Sequence, residues 1–155
     1  SYGSIRSALV RMGKKEIERW ISVLMMQNLA DDKPDEIFRM SLIRSKFGEM
    51  VSDNSIFHQR KEEVAMMCLF SMLDVLLDCT MKEALEELNI SEDIVNGLVE
   101  HSGIYRPLGM LLEGYEKGDW EQVKIYCEEL NVDANKLSDW YMSAIEWTSS
   151  IIVEY

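Results

Sequence analysis

A chain of 155 residues and 18.0 kDa has the size of one ordinary domain. With 47% apolar and 28% charged residues it can bury a core without disulfide staples, which excludes a disordered tail or a cysteine-stapled miniature fold. Its 28 acidic and 16 basic side chains give a net charge of −12, which repels phosphate backbones and argues against a nucleic-acid partner. The charge is uneven. Residues 1–61 carry 11 basic and 8 acidic groups, whereas residues 62–155 carry 5 and 20. A solvated acidic surface accounts for this, and a basic protein partner is the sharper alternative.

Helical periodicity recurs from end to end. A first short helix is expected over 4–12, closed by Gly13, and a second over 14–29 with Ile17, Trp20, Ile21 and Leu24 on one side. Asp32 and Pro34 open a third over 34–52, whose expected buried stripe is Met40, Ile43, Phe47 and Met50. The fourth, over 61–78, contains the longest apolar run, 64–77. Its 14 residues are interrupted by Ser71 and Asp74, well short of the roughly 20 that cross a bilayer. It therefore reads as the central helix of a bundle, with no membrane partner. Further helices are expected over 81–88, 92–101, 107–117, 120–130 and 134–152. Thr80-x-x-Glu83 and Asp119-x-x-Gln122 have capping-box spacing, and Ser91 and Asp133 stand at N-cap positions. The expectation is an all-α, single-domain bundle of about nine helices.

Little in this pattern resembles a catalytic constellation. His58 and His101 are distant in sequence and neither has a second His one turn on, so no metal-ligand spacing exists. There is no Gly-rich phosphate loop and no GxSxG elbow. The pairs Glu62-Glu63, Glu86-Glu87 and Glu128-Glu129 fit solvated helix faces. Glu83-Ala84-Leu85 spells EAL within a short helix. It is a coincidence, since a phosphodiesterase barrel of that name needs many strands. Cys68, Cys79 and Cys127 form no CxxC pair and suit thiols of a reducing cytoplasm. Asp74, in an apolar helix and one turn after Ser71, is expected to be paired with a neighbouring helix terminus or an arginine.

Several segments, taken in order, resemble one family. IRSALVRMG (5–13) is similar to a short helix ending in a hydrophobic residue and Gly, and KEIERWISVL (15–24) to the helix that follows it. LIRSKFGEM (42–50) resembles the helix that carries the first metal-binding His of HD hydrolases, and CLFSMLDVLLD (68–78) the helix with their His-Asp doublet. GYEKGDW (114–120) adds to the likeness. Together they resemble the HDOD domain, the HD-related output module at the C-terminus of bacterial EAL–HDOD signalling proteins. The resemblance implies an HD-like helical fold over 1–155, lacking the family's first helices and separated from an N-terminal EAL domain. It places Ser45 where the first His would be, and Ser71 and Met72 in place of the doublet. Ser and Met are poor ligands for the ions of that chemistry.

The resulting expectation is a cytoplasmic, non-enzymatic signal-transduction module without metal or cofactor. It would regulate an attached cyclic di-GMP phosphodiesterase (EAL) domain or recruit a protein partner, with homo-oligomer formation open. The alternative is a nucleotide or small-ligand sensor using a relic pocket of Arg44, Ser45, Ser71, Met72 and Asp74. A metal-dependent phosphohydrolase ranks third. Eleven methionines, including Met25-Met26 and Met66-Met67, are first of all core filling, and secondarily an adaptable binding surface.

Overall fold

The structure, a computed structural model, describes residues 34–152 apart from 87. The helices expected over 4–12 and 14–29 lie outside those residues. Each of the seven expected over the remainder is helical, and the described residues contain no strand. In chain order these are α1 (Pro34–Asp53), α2 (Lys61–Leu69), α3 (Leu73–Leu77), α4 (Met81–Leu85), α5 (Glu92–Val95), α6 (Arg106–Lys117), α7 (Trp120–Leu130) and α8 (Leu137–Ile152). No helix among the described residues is long and apolar enough to cross a membrane.

α2 and α3 replace the single helix expected over 61–78. A 3-10 turn at Phe70–Met72 separates them, and Met72 leaves helical geometry at φ −119°, ψ 14°. The Ser71 hydroxyl donates to the Cys68 carbonyl at 2.6 Å, the back-bonding by which serine bends helices. The segment is central all the same. Val64, Phe70, Leu73 and Leu76 are buried, while Val75 faces out. α3 ends at Asp78, whose left-handed φ of 50° turns the chain towards α4.

α1 packs along α2, and α8 lies against α1. The buried face of α1 differs from the expected apolar stripe. Met40 is 41% exposed, whereas Ser41, Leu42, Ser45, Phe47, Val51 and Ser52 are buried. Small residues face α2 because the two helices nearly touch. A Cβ on Gly48 would lie 2.5 Å from Cys68 Sγ, and the Ser45 hydroxyl donates to the Ala65 carbonyl at 2.9 Å. The buried serines satisfy themselves on backbone carbonyls: Ser41 on Ile37 at 3.0 Å and Ser52 on Glu49 at 3.0 Å.

α6 and α7 form an antiparallel hairpin turned at Gly118, which has φ 70°. Leu108, Leu111, Val123, Cys127 and Leu130 are buried as their spacing predicts, but Trp120 is 63% exposed. It packs edge-on against Tyr115 at 5.8 Å. Phe47, Tyr115 and Tyr141 form a mutual cluster with centroids 5.1–5.2 Å apart and join α1, α6 and α8. Such pairs add about 0.5–1.5 kcal/mol each beyond burial.

Among the described residues the caps follow the sequence with one exception, and the expected caps Gly13 and Asp32 lie outside those residues. Thr80 and Glu83 make both halves of a capping box, and Ser91 accepts from the Ile94 amide. Asp119 accepts from the Gln122 amide, but the Gln122 side chain turns away to donate to the Met110 carbonyl at 2.7 Å, tying α7 to α6. After α5 the chain widens into a π-helical turn at Asn96–Glu100 and stops at His101 in the left-handed conformation, φ 49°.

Candidate functional site

α2, α3, the π-turn and α6 leave between them a cavity of about 600 Å³. Each wall has a local cause. The 3-10 break swings α3 out of line with α2. The π-turn widens the chain opposite it, a feature often found at functional sites. Two glycines on the wall contribute no side chain. A Cβ on Gly97 would meet Met67 Sδ at 2.9 Å and require that flexible side chain to shift, whereas a Cβ on Gly109 would meet nothing within 4 Å.

Three of the five residues picked out from the sequence line this cavity: Arg44, Ser71 and Asp74. Ser45 and Met72 do not line it. Ser45 points the other way into the α1–α2 seam, and Met72 sits half-buried at the helix break. Arg44 is the best-anchored group. Its Nε and one terminal nitrogen grip both oxygens of Glu116 at 2.7 and 2.8 Å, and the other terminal nitrogen donates to Ser71 Oγ at 3.3 Å. This clasp ties α1 to α6 across the cavity wall. Burial works against the Arg44 charge, but the Glu116 hydrogen bonds and charge outweigh it and raise its pKa above the ordinary arginine value.

Asp74 does not have the expected partner. It is half-buried, and its carboxylate makes no hydrogen bond or ion pair with any described residue. Of the arginines, Arg44 on α1 also lines the cavity, but Glu116 already occupies it. Cys68, also on the wall, is buried, and burial pushes its thiol up to about 12, with nearby Arg44 opposing, so it stays protonated and inert. Tyr105 is buried as well. Its hydroxyl lies beside Glu63 without a well-formed hydrogen bond, and burial, then Glu63, raises its pKa.

The histidines stand apart from each other. Exposed His58 sets Nδ1 2.8 Å from Asp53 Oδ1, and exposed His101 sits on the cavity rim. Among the described residues no three His, Cys, Asp or Glu side chains gather as a metal site requires. Sequence reasoning missed Glu116, Gly109 and the Met67–Met81–Met110 lining. The helical periods of α6 put Gly109, Glu113 and Glu116 on one side, which was the available signal; the break in α2–α3 that opens the space gave none.

Two relatives span almost the whole chain. The cyclic di-GMP phosphodiesterase CdgJ of Vibrio cholerae serotype O1 is 31% identical over 154 residues, covering 97% of this chain and 35% of that protein. The uncharacterized protein YuxH of Bacillus subtilis (strain 168) is 28% identical over 156 residues, covering 96% of this chain and 36% of that protein. The chain thus spans about a third of the length of the relatives it matches. No family model matches it, and neither does a solved structure.

The Vibrio match, to a protein named as a cyclic di-GMP phosphodiesterase, corrects one expectation. The reading "not an enzyme" rested on missing metal ligands at three positions. It does not survive a match across nearly the whole chain to a protein named as a phosphodiesterase. Absent ligands for one chemistry in two short segments say nothing about the activity of a protein that contains them.

Proposed function

We propose that this chain is an HDOD-like, cytoplasmic signal-transduction module of a cyclic di-GMP phosphodiesterase, setting the turnover of an attached EAL domain or recruiting a protein partner to it. The similarity to the Vibrio phosphodiesterase over 97% of the chain carries this reading. The all-helical bundle and the acidic 62–155 segment support a protein-facing role. The test is cyclic di-GMP turnover by the protein that carries this segment, with the segment intact, with the Arg44–Glu116 clasp cut by Glu116→Gln, and with the segment deleted. Altered turnover on deletion supports control in cis. Equal rates rule that control out and leave partner recruitment to be tested by pull-down. Absence of turnover in every form removes the phosphodiesterase context.

One observation favours a second role in the same module. The cavity has the volume of a small-ligand site, for which about 300–1,000 Å³ is usual. A ligand held there would bear on α1, α2 and α6 at once, and so transmit its presence to the rest of the bundle.

A further inference from the structure

Trp120 departs from the sequence expectation. Its spacing predicts burial, yet it is 63% exposed at the first position of α7. It is also held in place. Its ring meets Tyr115 edge-on at 5.8 Å, and Phe47 and Tyr141 brace Tyr115 at 5.1 and 5.2 Å. A large ring kept rigid and open to water is the kind of anchor on which protein interfaces concentrate their energy.

Two other rings show what such a face takes. Lys46 Nζ stands 5.3 Å from the centre of the Trp147 ring, and the Arg60 guanidinium 5.2 Å from that of Tyr105. Tryptophan attracts a cation more strongly than tyrosine or phenylalanine does. Among the described residues, however, none places a cation over Trp120. Its neighbours Asp119 and Glu121 are exposed carboxylates with no ion pair among the described residues. They outnumber Lys124, one turn along the helix.

We propose that the Trp120 face of the α6–α7 hairpin is a docking site for an arginine- or lysine-bearing segment of a partner protein, with the partner's cation on the indole and Asp119 and Glu121 drawing it in. The proposal rests on reading this module as one that recruits a partner, and adds the place and the chemistry of that contact. The open ring, the flanking acids and the 20 acidic against 5 basic groups of residues 62–155 all favour positive charge on the partner. A second copy of the chain does not meet that need, since two molecules of charge −12 repel each other.

The experiment titrates the full chain into a labelled 12-residue peptide repeating Leu-Ala-Ala-Arg and follows fluorescence anisotropy. A twin peptide carries citrulline, of the same shape without the charge, in place of each arginine. The arginine peptide is expected to bind about tenfold more tightly than its twin. Trp120→Ala is expected to weaken the arginine peptide about tenfold without loss of helicity, and Trp120→Phe to weaken it less. Glu121→Lys should weaken it about threefold, and Lys124→Glu should strengthen it by a similar factor. Glu92→Lys on α5 makes the same change in net charge as Glu121→Lys and is expected to leave binding nearly unchanged. Equal binding of the two peptides, or of neither, overturns the cationic docking site. So does binding that ignores Trp120→Ala, or that falls as far with Glu92→Lys as with Glu121→Lys. Partner recruitment by the module is read separately, by turnover and pull-down, so a partner still captured by the Trp120→Ala protein would remove this face and leave that reading standing.

Discussion

Two faces of α2 contrast sharply. On one side α1 approaches so closely that a methyl at Gly48 would strike Cys68, and the Ser45 hydroxyl reaches the Ala65 carbonyl. On the other side α2, α6 and the π-turn stand apart around about 600 Å³ of space, and a methyl at Gly109 would touch nothing. One helix thus serves as a closed joint and as the wall of an opening. The difference comes from side-chain size on the facing helix and from the break after Leu69. It teaches that the same residue type, a helical glycine, marks a compulsory contact in one place and spare room in another.

Substitutions at these positions break or sharpen the contrast. The largest effect is expected from Gly48→Ala, which overpacks the seam and costs about 1–3 kcal/mol in urea unfolding. Adding Cys68→Ala relieves the clash, so the double-mutant cycle is expected to show coupling between the two sites. Ser45→Ala removes the hydroxyl bridge to Ala65 and is expected to cost about 1 kcal/mol, read the same way. On the open side the sign reverses. Gly109→Ala is expected to stabilise by about 0.5–1 kcal/mol, since helix propensity is gained and nothing is displaced. Glu116→Gln is expected to cost less, about 0.5 kcal/mol, because the clasp is partly solvated. Added salt should shrink the difference between wild type and that variant.

A pH effect of smaller scale sits at the α4 capping box. Backbone and side-chain hydrogen bonds from Thr80 hold the Glu83 carboxyl below its ordinary value of 4.5. A carboxyl whose folded pKa is depressed stabilises fully above the unfolded value and ceases to do so as pH falls through the folded one. Acid titration of Thr80→Ala should therefore show less loss of stability below pH 4.5 than wild type does. An identical acid profile in the two proteins would mean that the box contributes nothing.

The helices of residues 34–152 were legible because their punctuation is local. Pro34, Thr80, Ser91, Asp119 and Asp133 mark boundaries that the structure keeps to within a few residues. Faces were less legible. Of the expected stripe Met40, Ile43, Phe47 and Met50 only Phe47 is fully buried, because close approach to α2 selects serine and glycine, and hydropathy cannot see distance. Of the site, Ser71 and Asp74 were found because their spacing puts them on one helix face, and Arg44 because the helix that carries it resembles the one with the first metal-binding His of HD hydrolases. The partner of Arg44 was not, since Glu116 lies 72 residues away and is brought near only by tertiary packing. Treating Ser45 as the vestige of a ligand overlooked its work in the seam.

The three thiols differ in a way of practical use. Cys68 and Cys127 are buried, and Cys79 alone is partly open to solvent. Its amide donates to the Asp74 carbonyl at 3.1 Å, so it is fastened to the cavity wall. Loss of water around the thiol, then its acidic neighbours, raise its pKa and slow its reaction at neutral pH. In mildly alkaline solution it becomes a single natural attachment point for a fluorophore or spin label, able to report occupancy of the cavity without any engineered cysteine.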